Sequence, residues 1–432
     1  MTTELSNFSA RLREAIQGRD AALRRPVGAA RQPYQELEFD SLALELFALQ
    51  FKHNAAYWKI CEARGLTPGI VENWTQIPAV PTSAFKELDL TCLAPAELTA
   101  VFHSSGTTEQ KPSRHFQSPE SLKLYEASLL PWFLENVLPD FRFPISDFRL
   151  VCLAPPPSQA PHSSLVHMFE TVRRKFSAED SAFQTMRDKS LPARAGARFG
   201  VPPSGGRVNA ELQTEVVRAS AAFLGTVGVS DRWTLNFDAA LAALNSSLVT
   251  RHPSLLLGTA FSFVHLLDFL VERNLRFDLP AGSRVMETGG YKGRSRALPK
   301  TELHQLITEK LGVPPSHIIC EYGMSELSSQ AYSCVTSDMW QAARNGEASC
   351  HLSPVTCHFR FPPWARVQII SPETGREVAD GETGLIRVFD LANVFFVMAI
   401  QTEDLGIRRG EHFELIGRAQ LAEPRGCSLM AV

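Results

Sequence analysis

The sequence predicts an α/β protein with mixed, largely parallel sheets. Short apolar strand candidates recur from Phe148 to Ile400, and helical patterns fill several of the gaps between them. Size is the other indication. At 432 residues the chain exceeds what one hydrophobic core serves, so one large layered domain plus a smaller piece, or two domains, is expected.

The first ninety-five residues read as mainly helical and then loop-like. Leu5, Phe8, Leu12 and Ile16 recur at three- and four-residue steps, and Leu42, Leu44, Leu46 and Phe51 form a second apolar stretch. Pro78 and Pro81 then break the pattern. Strands are expected at Phe148–Leu153, Arg284–Thr288, His317–Cys320, Arg366–Ile370, Gly384–Phe389 and Val394–Ile400. Helices are expected at Ala210–Leu224, Arg232–Leu248 and Lys300–Leu311. The most apolar stretch, Leu255–Leu270, is interrupted by His265 and Asp268 and is short for a bilayer, so it reads as a buried helix. The stretch 176–207, rich in Ser, Arg, Gly and Pro, reads as a surface insertion or mobile loop.

Composition narrows the partners. Hydrophobic residues make up 44% and charged residues 21%, which argues for a globular chain rather than a disordered one. A net charge of −3 without a basic stripe argues against nucleic acid. The polar start, Met1 to Ser6, lacks the apolar region of a signal peptide. The eight cysteines form no C-x-x-C pair and no Cys/His cluster at zinc spacing, so a reduced cytoplasm is expected.

Four segments carry possible chemistry. In Ser104-Ser105-Gly106-Thr107-Thr108, small residues let backbone N–H groups converge while hydroxyls add donors, which suits phosphate oxygens. The spacing is not that of a Walker A loop, and an ordinary Ser/Thr/Gly turn explains the segment equally well. Gly289 and Gly290 close a predicted strand, and permit a sharp turn and close approach of a flat ligand. Tyr322-Gly323-Met324-Ser325-Glu326 closes another, with an aromatic face, a glycine and a carboxylate able to hold magnesium. Asp404, after a third, has a carboxylate that either accepts two ribose hydroxyls or caps a turn.

In this order the four segments resemble the acyl-adenylate-forming superfamily. Their spelling is more similar to one branch, the acyl-protein synthetases (long-chain-fatty-acid–luciferin-component ligases) of bacterial fatty acid reductase complexes, relatives of phenylacetate–CoA ligase. Ser163-Ser164-Leu165, Leu257-Gly258-Thr259, Gly289 to Lys292, Thr402 to Gly406 and Gly417-Arg418 through Arg425-Gly426-Cys427 also match. The resemblance runs from about residue 80 onward. It implies a multilayered adenylate-forming core over 1–416, with the superfamily's small C-terminal domain reduced to a tail over 417–432. It implies ATP and Mg2+ as cofactors, a carboxylic acid (by family default a fatty acid) as substrate, and an acyl reductase as a possible partner.

By that resemblance Ser104, Ser105, Gly106, Thr107 and Thr108 would hold the ATP phosphates, and Gly289 and Gly290 would lie along the adenine. Tyr322, with Gly323 beside it, would stack on the base. Glu326 would bind magnesium, Asp404 the ribose hydroxyls, and Arg418 the ribose or phosphate. The superfamily's loop usually continues Gly-x-Pro-Lys. Here Glu109-Gln110-Lys111-Pro112 intervenes, which leaves Lys111 without a clear role, and Lys292 is a candidate for charge compensation.

Cys427 lies beside Arg425 and Gly426, and a thiolate there would attack a mixed anhydride. The resembled family carries an acyl-accepting cysteine near its C-terminus. The other cysteines read as packing residues; His103 and His115, which flank the phosphate loop, either line the acyl pocket or, like His162 and His167, are structural histidines, and none is assigned a catalytic role. Three readings compete with acyl transfer to Cys427: an acyl- or aryl-CoA ligase using free CoA, a non-catalytic adenylate-binding protein, and a scaffold.

Overall fold

The computed structural model describes residues 3–23, 38–104, 111–139, 148–190, 221–228, 232–291, 295–334 and 357–419. The helices are α1 Thr3–Leu23, α2 Phe39–His53, α3 Ala55–Ala63, α4 Ala84–Glu87, α5 Pro119–Val137 and α6 Ser164–Ser190, then α7 Phe237–Thr250, α8 Ala260–Glu272 and α9 Lys300–Leu311. The strands are β1 Val80–Pro81, β2 Ala100–His103, β3 Arg114–Gln117, β4 Arg149–Leu153, β5 Ala221–Phe223, β6 Gly225–Val227, β7 Trp233–Leu235 and β8 Ser254–Thr259. They continue with β9 Arg284–Thr288, β10 Ile318–Tyr322, β11 Ala331–Cys334, β12 His358–Arg360, β13 Ala365–Ile370, β14 Thr383–Asp390, β15 Ala399–Arg409 and β16 His412–Arg418.

One large sheet dominates, in the order β13-β14-β15-β16-β12-β11-β10-β9-β8-β4-β5, with β1 added parallel to β15. From β10 to β5 all neighbours are parallel, and from β10 to β13 all are antiparallel. The fold is therefore mixed α/β, parallel in one half. Composition accounts for the division. Strands β4, β8, β9 and β10 are buried along their whole length, as parallel strands covered on both faces must be. Leu150 and Cys152 of β4, with Leu255 and Leu257 of β8, pack on the side of α1, α2, α5 and α6. The alternate residues Val151, Leu153 and Leu256 pack against α7, α8 and α9 on the other side. Each fully buried Leu or Phe on these faces contributes roughly 1.5–3 kcal/mol.

Leu5, Phe8, Leu12 and Ile16 lie buried on α1, which packs on α5, as their spacing predicts. Gln50 of α2 is fully buried and reaches the far half of the chain. Its Nε2 donates to the carbonyls of Asn393 and Val394 at 2.7 and 3.3 Å, and its Oε1 accepts from Met398 N at 3.0 Å.

Several expectations need correction. Leu255–Leu270 is not one helix: β8 ends at Thr259, which caps α8, and Ser262 N donates to Thr259 Oγ1 at 3.2 Å. The expected helix Ala210–Leu224 contains β5 at its end, its remainder lying outside the described residues, and Arg232–Leu248 begins with β7 before α7. The expected loop 176–207 is helical to Ser190, because Val166, Phe169, Val172 and Phe176 carry a buried stripe into it with no proline before Pro192. The expected strand at Val394 starts only at Ala399, since Gln50 and Cys92 take the backbone groups ahead of it. Strand β16 closes the described part of the sheet at His412–Arg418. No helix among the described residues is long and apolar enough to cross a membrane.

Candidate functional site

The β2–β3 hairpin brings the first motif to the site. Ser113 N donates to Ser104 Oγ at 3.1 Å and Ser104 N to Ser113 O at 3.4 Å, which closes the hairpin below the loop. Ser105, Gly106, Thr107 and Thr108 lie outside the described residues, as do Lys292 and Cys427. Ser113 then leads to Glu326. Its hydroxyl donates to Glu326 Oε1 at 3.2 Å and meets His115 Nε2 at 2.7 Å, while His115 Nε2 is itself 3.5 Å from Glu326 Oε1. Burial pulls the Glu326 carboxyl upward, but attraction to His115 and the bonds from His115 and Ser113 outweigh it and hold the group below the usual carboxylate range. The motif's own residues close the other side. Ser325 Oγ donates to His103 O at 3.3 Å and meets Ser164 Oγ at 3.2 Å. The segments around Ser104, Ser163 and Glu326 thus converge.

A second network fixes the turn after Glu326. Asp390 accepts from Ser328 N at 3.0 Å, Ser329 N at 2.8 Å, Ser329 Oγ at 2.8 Å and Ala392 N at 3.0 Å. Asn393 Nδ2 donates to Glu326 O at 2.9 Å, and its Oδ1 accepts from Ser328 N at 2.9 Å. Burial pushes the Asp390 carboxyl up to about 6 in spite of these donors.

Tyr322 ends β10 with its ring edge-on to Phe359, Phe361 and Phe413, and its hydroxyl donates to Asp404 Oδ2 at 3.0 Å. The residues expected at adenine and ribose are therefore in contact. Burial raises the Asp404 carboxyl, opposed by the Tyr322 bond and the attraction of Arg418. Arg418 stands opposite Asp404 on β16, largely exposed, with a guanidinium nitrogen 3.6 Å from Glu403 Oε2.

Gly289 follows β9 with a φ of +65°, in the left-handed region that favours glycine, and a Cβ on it or on Gly290 would meet open space. Gly323 is more confined: a Cβ there would meet Glu321 Oε1, and that carboxylate would have to shift. Glu321 in turn accepts a short hydrogen bond from Thr288, and burial pushes its carboxyl up to about 7.

Sequence reasoning missed Ser113, Asp390 and Asn393, and took His115 as structural without its link to Glu326. None of the four stands in a glycine-rich strand end or in a motif that carries the resemblance. His103 and His162 stack on each other, with ring centroids 4.7 Å apart. The cysteines form no Cys/His cluster by spacing, yet folding brings Cys320 of β10 and Glu287 of β9 together with His304 and Cys357.

Comparisons with known proteins bear on the family and the fold. The family model described as acyl-protein synthetase, LuxE, matches residues 213–431. The long-chain-fatty-acid–luciferin-component ligase of Aliivibrio fischeri is 25% identical over 186 residues, which cover 40% of this chain and 44% of that protein. Its counterpart in Vibrio harveyi is 24% identical over 204 residues, covering 45% and 49%. The chain thus spans about half the length of these curated relatives. Among solved structures, an open conformation of 2-hydroxyisobutyryl-CoA ligase with 2-HIB-AMP and CoA aligns with a TM-score of 0.53 at 13% identity, covering 92% of this chain and 75% of that one. The same ligase in its thioesterification state gives 0.51 at 14% identity, covering 92% and 73%. These alignments establish the adenylate-forming type of fold. With more than half of its residues matched by the family model, the chain belongs to the acyl-protein synthetase (LuxE) family.

Proposed function

We propose that this protein uses ATP to activate a carboxylic acid, a fatty acid by family default, as an acyl-adenylate and passes the acyl group to a thiol. The observation that carries the reading is the convergence of the Ser104 hairpin on Glu326 at one end of the sheet, with Tyr322 of the same motif bonded to Asp404. Strand ends are where α/β sheets bind nucleotides.

Magnesium fits Glu326, whose buried carboxylate is held ionised beside the Ser113 hydroxyl, a hard-oxygen setting. Bound there, it would offset the charge that keeps a carboxylate from approaching the α-phosphorus. The chain's own residues do the rest. Ser113 and His115 keep Glu326 ionised and fixed, while Tyr322 orients Asp404 to accept from the ribose hydroxyls. Gly289 and Gly290 let adenine approach the backbone, and Ser104 to Thr108 donate to phosphate oxygens. Arg418 on β16 and Lys292 supply positive charge at the ribose–phosphate end.

The second half-reaction falls to Cys427. Its thiolate attacks the carbonyl carbon of the mixed anhydride, the C–S bond forms, and the C–O bond to phosphate breaks as AMP leaves with the electron pair. The resulting thioester is then open to an acyl reductase as partner.

The test is acid-dependent ATP–pyrophosphate exchange over a panel of acids, with Glu326→Gln as the variant. Exchange should fall roughly a hundredfold or more while the circular dichroism melt stays cooperative. Exchange at the wild-type rate would remove Glu326 from the mechanism. No exchange by the wild type with any acid would overturn the reading.

A further inference from the structure

Outside the nucleotide site, three side chains that could ligate a metal meet inside the fold, and a fourth, Cys357, touches one of them. Glu287 and Cys320 are paired across β9 and β10, His304 comes from α9, and Cys357 immediately precedes β12. Glu287, His304 and Cys320 are all buried, and each offers a ligand atom within 4.8 Å of the others. His304 Nε2 lies 3.5 Å from Glu287 Oε1 and 3.7 Å from Cys320 Sγ, and Cys357 Sγ lies 3.2 Å from Cys320 Sγ.

From these distances we infer a structural site for one zinc-class divalent ion, ligated by Glu287, His304 and Cys320, with Cys357 as fourth donor.

The spacing carries the argument. Zinc bonds of about 2.3 Å to sulfur and about 2.0 Å to nitrogen or oxygen, set tetrahedrally, put neighbouring ligand atoms about 3.7 Å apart for S–S, 3.5 Å for S–N and 3.3 Å for N–O. The three contacts fall within about half an ångström of those edges. A second observation points the same way: Glu287 Oε2 is buried and has no hydrogen-bond partner among the described residues. Such a carboxylate oxygen is expensive to leave without a ligand. Charge also balances. Two thiolates and a carboxylate against a divalent ion leave one negative charge, and Lys300 Nζ stands 3.0 Å from Glu287 Oε1 to offset it. Two thiolates with an imidazole select zinc or its cobalt surrogate over magnesium or calcium.

The ion would tie β9, α9, β10 and the approach to β12 together behind the nucleotide site. Glu287 lies two residues before Gly289, and Cys320 two before Tyr322. Its role is to brace those strand ends, and it takes no part in the chemistry.

The test uses the full chain, purified under reducing conditions without chelator. Elemental analysis should find close to one zinc per chain. Titration of metal-free protein with Co2+ should give the visible d–d absorption of a tetrahedral thiolate site. His304→Ala and Cys320→Ser should lose the metal and the absorption, and Cys357→Ser should weaken binding at least tenfold. Glu287→Gln, nearly isosteric, guards against misfolding of the other variants. The inference is overturned if reduced wild-type protein carries no metal and gives no cobalt spectrum, if Cys320→Ser or Glu287→Gln binds as wild type does, or if mass spectrometry finds only a Cys320–Cys357 disulfide whose reduction restores no binding. The cobalt titration of wild type decides the matter even where every variant unfolds, and it is independent of adenylation.

Discussion

Replacing Asp390 tests how the Glu326 turn is held. Four donors converge on its carboxylate, two on each oxygen. An asparagine has one acceptor oxygen, so Asp390→Asn keeps one pair and turns an NH2 toward the other. If it keeps the Oδ1 pair, Ser328 N and Ser329 N lose their partner. Ser328 N retains Asn393 Oδ1 at 2.9 Å, so Ser329 N alone is stranded. If it keeps the other pair, Ala392 N is stranded and the Ser329 hydroxyl can rotate. One orphaned buried amide costs about 1–3 kcal/mol either way. Asp390→Ala strands both Ser329 N and Ala392 N, and should cost about 2–6 kcal/mol, a large part of a typical folding margin. Urea denaturation at a pH well above 6, where the carboxyl is ionised, measures both. The Asn variant should stay folded with a lowered midpoint and reduced pyrophosphate exchange. Equal midpoints for the two variants, or wild-type behaviour in either, would refute the donor count.

Glu321 offers a pH test. Its folded pKa is raised from 4.5 to about 7 by burial, so its contribution to stability is full below pH 4.5 and is lost as pH rises to about 7. Glu321→Gln does not titrate, so its melting temperature should gain on wild type across that window, by the equivalent of about 3 kcal/mol at most, and stay level above it; parallel melting curves would contradict this. Asp404→Ala should weaken ATP binding by about 1.5–3 kcal/mol in calorimetry, and unchanged affinity would leave Asp404 as a partner of Tyr322 alone. With ATP and a suitable acid, wild type should acquire a hydroxylamine-sensitive acyl group located by mass spectrometry on Cys427. Cys427→Ser should keep exchange and lose that group; a variant still making acyl-CoA at the wild-type rate from free CoA would sink the transfer step.

What was legible in the sequence had a local cause. Arg284–Thr288 and Lys300–Leu311 match β9 and α9 residue for residue, because proline, glycine and periodicity mark their ends. The glycine-bearing strand ends were legible for the same reason. Leu255–Leu270 was misread because β8 and α8 are both buried almost throughout, and an apolar run with so few polar residues has no clear period to distinguish strand from helix. Partnership over long separations left no trace. Ser113 lies 213 residues from Glu326, and Ser329 lies 61 from Asp390. The cysteines looked scattered since 37 residues separate Cys320 from Cys357, which β-sheet pairing then removes.

The reach of Gln50 bears on how the chain is made. Its partners stand 343 to 348 residues further along, so at about 5–20 residues per second α2 leaves the ribosome roughly 20–70 s before they exist. Phe39 and Phe47 find Trp74 and Tyr57 soon after they are made, whereas the polar end of Gln50 waits for the far half of the chain. The contact that ties α2 to the Asn393–Met398 segment is thus among the last to form, whatever local packing α2 has reached by then.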